Sequence, residues 1–423
     1  MTPVGNSTSP VGTQPERFRK VRSASEALAA PLSPEDCAAQ SMTDASPVKW
    51  HLAHTSWLFE TFVLEHEIEG YEPFHPDFRV IFNSYYNGVG AQHARPERGM
   101  LTRPALDEVH AYRQHVSERV ATLLDAGALS TAMREIVEIG IHHEQQHQEL
   151  ILTDVLHLFS RNPLRPAYRP AGPRADAKPT PLRWHGHPGG LVEVGHAGPG
   201  FAFDNEGPRH AVHLVPFELA SRLVTNGEYQ AFMADGGYER PEFWLSDGWA
   251  KLQAEGWNAP LHWASCDGDW EQLGLAGQRA VHPDEPVCHV SFYEADAYAR
   301  WAGARLPTEA EWEVVAAASP CEGNFVESGA LAPIGAPEPN GAPTQLFGDC
   351  WEWTASPYVP YPGFSPPPGA LGEYNGKFMA NQVVLRGGSC VTPESHIRAS
   401  YRNFFFPDAR WQWSGVRLAR DAR

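Results

Sequence analysis

Seven prolines fall within the 31 residues from 160 to 190, "SRNPLRPAYRPAGPRADAKPTPLRWHGHPGG". That density argues against regular structure, because each proline removes a backbone donor and fixes φ near −65°. This seam divides a chain of 423 residues, longer than one hydrophobic core normally serves, into two halves with different patterns. Before it, apolar residues recur at three- and four-residue steps; after it come short segments punctuated by Gly and Pro. The expected organisation is a polar, disordered lead-in over 1–19, a helical domain over 20–160, a linker over 161–185 and a second domain over 186–423.

In the first half, "SPVKWHLAHTSWLFETFVLEH" predicts a helix with Ser46 as its N-cap and Pro47 at the first helical position. Trp50, His54, Trp57, Leu58 and Phe62 form its buried stripe, so His54 points inward between two tryptophans. A second strong helix, "TAMREIVEIGIHHEQQHQELILTDVLHLF", carries Ile136, Ile139, His143, Gln146, His147 and Leu150 along its inner side. With helices expected near 22–30 and 106–125, the half reads as a four-helix bundle. The second half shows three capping boxes, "TNGE" from Thr225, "SFYE" from Ser291 and "TEAE" from Thr308, each opening a short helix. Between them lie Trp- and Gly-rich pieces such as "GDCWEWT" and "VLRGGS", as in a compact α+β domain of short strands and long loops.

A formal charge of −18 argues against nucleic acid or an anionic membrane as the partner and favours a small-molecule enzyme. The N-terminus lacks the apolar core of a signal peptide, and no run of about 18 apolar residues exists to span a bilayer. Six cysteines without a Cys-x-x-Cys pair are the usage of a reduced, cytoplasmic protein.

"HHEQQH" contains a literal His-Glu-x-x-His, the ligand spacing of zinc peptidases. His143 and His147 stand one turn apart and can grip one ion, although two satisfied polar side chains would show the same spacing. Their place in a stripe otherwise rich in Ile and Leu favours a metal, with His54 as the third ligand. The continuation "QELILTD" lacks the Gly and His of the metzincins, and the proline-dense seam leaves no downstream helix for a glutamate ligand. Three neutral imidazoles leave an octahedral ion three adjacent open positions, which suits Fe(II) meeting a thiolate, an azole nitrogen and O2.

These motifs carry a resemblance. "WHLAHTSWLFETF" with "HEQQHQE" resembles the DinB-like four-helix bundle of the sulfoxide synthases of ergothioneine biosynthesis, the EgtB family. "DNEGPRHAVHL", "VTNGEYQAFMADGGY", "RLPTEAEWE", "GDCWEWT" and "LRGGS" resemble the formylglycine-generating-enzyme-like, C-type-lectin-like module that these synthases fuse to their bundle. The resemblance implies that His54, His143 and His147 bind Fe(II) as a facial triad. The implied reaction is the O2-dependent joining of a thiol sulfur to C2 of the imidazole of hercynine, Nα-trimethylhistidine, giving a sulfoxide. It further implies that Gln146 contacts the substrate imidazole and that Asn403 and Phe404, in "YRNFFF", hold the trimethylammonium end, which aromatic faces suit. Arg95 and Arg98 fall where the family binds the carboxylate of its thiol donor. Phe405 stands where relatives using γ-glutamylcysteine carry Asp, which favours cysteine as donor. Tyr85 and Tyr86 match the paired tyrosines of the cysteine-using branch and are the expected catalytic proton or hydrogen-atom donors; other relatives draw that tyrosine from the C-terminal domain, where Tyr358, Tyr361 and Tyr374 lie.

Formylglycine-generating chemistry needs two nearby cysteines in the C-terminal segment, and only Cys390 stands there. Arg305, Glu309, Trp312, Trp351, Glu352, Trp353 and Arg386 are accordingly read as scaffold. Rival readings are a selenoneine synthase taking selenium from a selenosugar, an ovothiol-type synthase attacking histidine at C5, and a non-enzymatic lectin-like binding module on a structural metal bundle.

Overall fold

The structure, a computed structural model, describes residues 12–170, 180–338 and 341–422. The chain forms two compact units: the helical one takes the described residues up to Arg169 together with Pro366–Tyr374, and the other takes Pro170–Ser365 and the remainder from Asn375.

The helical unit contains α1 (Gln14–Ala29), α2 (Pro34–Ala38), α3 (Val48–Phe59), α4 (Glu65–Glu67), α5 (Phe78–Ile81), α6 (Leu106–Asp125) and α7 (Thr131–Arg161). The long helices α1, α3, α6 and α7 pack as the expected bundle. The lead-in is shorter than 1–19: α1 already runs from Gln14, residues 1–11 lying outside the described residues. Pro15 occupies the first turn, where proline costs nothing, and the Glu16 carboxylate accepts from the Thr13 N–H at 2.7 Å. α3 begins at Val48 with Pro47, not Ser46, in the capping position. Ser46 is engaged elsewhere, its N–H donating to Asp154 Oδ2 at 2.8 Å and its Oγ accepting from Arg98 at 2.9 Å. Past Phe59 the helix widens into a π turn, Glu60–Leu64. The Glu60 carboxylate there accepts from the Tyr112 hydroxyl at 2.6 Å, from the Tyr71 hydroxyl at 2.7 Å and from the Phe74 N–H at 3.0 Å, three donors that hold the bulge. α3 and α7 approach so closely at Gly140 that a Cβ there would lie 2.4 Å from the Phe59 ring.

The inner side of α7 is rotated from the expected one. Ile136, Ile139, Gln146 and Leu150 are half-buried, while Val137, Gly140, Ile141, Glu144, Gln148 and Ile151 join the two histidines in the interior. Segment 366–374 was expected in the second domain, yet packs with the bundle: the Glu373 carboxylate accepts from the N–H groups of Asn87 at 3.0 Å and Gly88 at 2.7 Å.

The second unit is built from small sheets. β1 (Trp184–His187), β4 (Phe217–Ala220) and β12 (Ala419–Asp421) form one, with β4 central and antiparallel to both. β2 (Gly190–Val194) and β3 (His210–Leu214) make a hairpin, and β5 (Trp263–Cys266), β6 (Asp269–Gly274) and β7 (Gly277–Ala280) a meander. The fourth sheet, ordered β10-β9-β8-β11, comprises β8 (Trp351–Pro357), β9 (Val383–Arg386), β10 (Asn403–Phe405) and β11 (Ser414–Gly415). Helices α8 (Asn226–Ala234), α9 (Ser246–Glu255), α10 (Phe292–Trp301) and α11 (Glu309–Ala316) surround them, three of the four opening on the predicted capping boxes. The expected scaffold residues other than the half-buried Arg305 are buried: Arg417 grips Glu352, which also accepts from the Trp312 indole at 2.7 Å. Arg386 and Arg402 share Glu309. Six free cysteines are present, and no described helix is long and apolar enough to cross a membrane.

Candidate metal centre

His54, on α3, sits between the indoles of Trp50 and Trp57, stacked at ring distances of 4.6 and 5.5 Å and within 18° of parallel to each. Both indole N–H groups are tied off, to the carbonyls of Ile81 and Arg79 at 3.1 Å, so the sandwich is rigid. The Nδ1 of His54 lies 2.6 Å from the Phe82 carbonyl. A carbonyl can only accept, so Nδ1 carries the proton and Nε2 presents its lone pair. That Nε2 is buried without a hydrogen-bond partner, as are both ring nitrogens of His143.

These orphans converge. One ring nitrogen each from His54, His143 and His147 lies within 4.8 Å of the others, and they form the one potential metal-holding cluster of three or more such side chains among the described residues. Burial, the largest cause, drives all three rings toward the neutral form: His143 falls to about 3, and His54 and His147 lie well below the usual range, each further depressed by its neighbours. Buried, neutral imidazoles from two helices, with unpartnered ring nitrogens on His54 and His143, meet the requirements of a divalent transition metal, so the residues present fit Fe(II).

Glu144, inside the His-Glu-x-x-His motif, points into the bundle core instead. Its carboxylate accepts from Arg22 at 2.8 Å, Arg113 at 2.9 Å and Ser25 at 2.7 Å and is wholly inaccessible. Burial would raise its pKa, but the two guanidiniums outweigh that and hold it at about 2. Arg22 is drawn down to about 10 by its own burial and by Arg113: the arginines repel each other, and Glu144 is their common counter-ion. A carboxylate so occupied cannot serve as a peptidase's general base.

Of the other expected site residues, eight of the eleven, counting the three histidines, lie in the helical unit. Tyr85 and Tyr86 stack at 4.7 Å, and Tyr86 also lies 5.5 Å from Trp57. Burial, then Tyr85 and Tyr374, raise Tyr86 well above a normal phenol. Arg98 lies flat on Trp50, 3.4 Å from the ring centroid, its Nη1 donating to Ser46. Burial, and then Arg95, pull it down to about 9. Arg95 is exposed and donates to the Asp44 carbonyl. Gln146 is half-buried and accepts a hydrogen bond from the Tyr374 hydroxyl. Asn403, Phe404 and Phe405 belong to the other unit, on β10. Phe404 stacks on Tyr358 at 4.0 Å and lies 6.0 Å from Phe378.

Two features lie outside the foremost expectations. Tyr374, named only among alternatives, lies beside the histidines, its ring 5.8 Å from that of His143. Tyr358 and Tyr361 are committed within the second unit, to Asn205 at 2.9 Å and Glu309 at 3.2 Å respectively. Behind His147, His51 Nδ1 lies 2.7 Å from His147 Nδ1, and His51 Nε2 lies 2.9 Å from Asp154 Oδ2.

Residues 17–151 match the DinB superfamily, and residues 187–340 and 326–422 match the sulfatase-modifying factor enzyme 1-like domain. The hercynine oxygenase of Mycobacterium tuberculosis is 36% identical, the alignment covering 89% of this chain and 91% of that protein. That of Mycolicibacterium thermoresistibile is 34% identical, covering 89% and 87%. The formylglycine-generating enzyme of Streptomyces coelicolor is 31% identical but covers 61% of this chain, with 92% of its own length. Likeness to the oxygenases runs through both units, with the three-histidine cluster in the part that the formylglycine-type match leaves out of account. The chain belongs to the hercynine oxygenase family.

Proposed function

We propose that this chain is a non-haem iron oxygenase that joins the sulfur of cysteine to C2 of the hercynine imidazole. The observation that carries the reading is the convergence of His54, His143 and His147 in a chain that is similar to hercynine oxygenases over 89% of its length. In the overall balance, the hydrogens of C2–H and S–H leave with one oxygen atom as water, and the second oxygen atom remains on sulfur. Fe(II), held by His54, His143 and His147, would bind and activate O2 beside the thiolate and the azole, the four electrons that reduce O2 coming from the two substrates.

The protein's own groups do the rest. Gln146, held by Tyr374, offers its amide to the substrate imidazole. By the family resemblance, Phe404, stacked on Tyr358, would be the aromatic group for a trimethylammonium that no hydrogen bond could hold. Tyr374 is the foremost candidate to donate a proton or hydrogen atom, because it bonds to Gln146 and lies beside His143; Tyr85 and Tyr86 stand behind it. Arg98 and Arg95 supply positive charge for the donor carboxylate, and Phe405 leaves no acidic anchor for a larger γ-glutamyl donor. Free cysteines throughout accord with a reducing, cytoplasmic setting.

The test is anaerobic iron loading, mixing with hercynine and either cysteine, γ-glutamylcysteine or a selenosugar, then exposure to air and mass spectrometry. A cysteine-linked sulfoxide is expected. A product only with the selenosugar would replace the donor assignment, and none with any donor would sink the reading.

A further inference from the structure

His51 is not a ligand, yet it occupies the space between a metal-facing histidine and a buried carboxylate. Asp154 Oδ2 accepts the Ser46 N–H at 2.8 Å and lies 2.9 Å from His51 Nε2. His51 Nδ1 lies 2.7 Å from His147 Nδ1. His51 and Asp154 are almost wholly buried, so water does not compete for these atoms. Two ring nitrogens at that distance share one proton, and the question is which ring owns it.

The carboxylate answers it. The Asp154 carboxylate can only accept, so His51 carries a proton on Nε2, and a ring holding that one proton offers Nδ1 as an acceptor. His147 must then donate from Nδ1, which leaves its lone pair on Nε2. The opposite arrangement would place a proton on His147 Nε2 and disqualify that nitrogen as a ligand. We infer that His51 and Asp154 are positioning residues that fix the tautomer and ring orientation of His147, so that its Nε2 is available to a metal held with His54 and His143. His54 achieves the same end with the Phe82 carbonyl, whereas His143 has no such support. Outer hydrogen bonds of this kind raise ligand basicity and typically contribute 10- to 100-fold in metal affinity.

The inference rests on the three-histidine metal reading and not on the identity of the organic substrates, so its test requires neither. The full chain, freed of metal, is titrated anaerobically with Fe(II) and separately with Co(II) as a spectroscopic probe. His51→Phe keeps a ring but removes both nitrogens, and about 10- to 100-fold weaker binding is expected. His51→Gln offers a carbonyl toward His147 and an amide toward Asp154, and should restore affinity to within about threefold. Nitrogen-15 NMR of the metal-free wild type reads the tautomer directly, with the His147 proton expected on Nδ1. A His147 proton on Nε2, or a folded His51→Phe variant with wild-type affinity and an unchanged cobalt spectrum, overturns the proposal. Should His51→Phe fail to fold, the NMR assignment and His51→Gln decide: a folded glutamine variant as weak as a ligand deletion also overturns it.

Discussion

Replacing Glu144 by glutamine tests whether the acidic residue of the His-Glu-x-x-His motif is chemical or architectural. The amide preserves volume and can still accept one bond from Arg22 or Arg113, but two wholly buried guanidiniums lose their counter-ion. Breaking a buried ion pair from one side costs about 3–5 kcal/mol, because the remaining charge is left uncompensated in a poor solvent. The carboxylate itself gives an independent figure: its displacement from 4.5 to about 2 corresponds to about 3 kcal/mol at neutral pH. For a unit of this size about 2–4 °C of Tm accompany each kcal/mol, so the bundle's transition should fall by roughly 6–20 °C. Far-UV circular dichroism during heating, on metal-loaded protein at neutral pH, measures it. A general base exposed to substrate would behave otherwise, losing activity and keeping Tm. A shift below about 2 °C would show that the arginines do not depend on Glu144 and would reopen the peptidase assignment.

Other outcomes follow from the same geometry. Tyr374→Phe should lower kcat by about 10²- to 10⁴-fold with metal affinity unchanged, and unaltered turnover would move the proton donor to Tyr85 or Tyr86. Glu373→Ala removes the acceptor for the Asn87 and Gly88 N–H groups, so segment 366–374 should become more sensitive to protease and kcat should drop. Full protection and full kcat would deny Glu373 that latching role. Phe404→Ala should raise the KM for hercynine by about 2- to 30-fold, the equivalent of 0.5–2 kcal/mol of cation–π attraction, as steady-state kinetics would show. Glu138 is held at about 2: burial raises it, but bonds from His142 and Arg17 more than reverse that. Its folded pKa lies below its unfolded one, so its contribution is complete above about 4.5 and disappears as pH falls toward 2. The Tm gap between wild type and Glu138→Gln should therefore close over that interval, and a gap independent of pH would contradict the pairing.

The three clustered histidines were legible because each lies on a long helix, where period alone decides direction. His143 and His147 share a face at four-residue spacing, and His54 lies on a stripe whose Trp50 and Trp57 neighbours do flank it. What period could not decide was rotation about the axis of α7. Glu144 is one residue from His143, and its inward turn depends on Arg22 and Arg113, which come from two other helices. The π turn at Glu60–Leu64 likewise answers to Tyr71, Phe74 and Tyr112, none of them local. Tyr374 was obscured for a different reason: a Pro- and Gly-rich loop has no period, so nothing in "GEYNGKF" says what it will touch. His51 and Asp154 left a faint trace, being three residues from His54 and seven from His147, one and two turns along the respective helices.

The placement of residues 366–374 bears on how such a protein can be taken apart or recombined. Severing the gene at the proline seam would yield a helical fragment missing Glu373 and Tyr374, and therefore missing a piece of its own interior. Hybrids that exchange C-terminal halves between relatives would unknowingly graft a foreign nine-residue insert into the host's helices. Engineers wanting working chimeras should carry that short stretch across with the N-terminal parent.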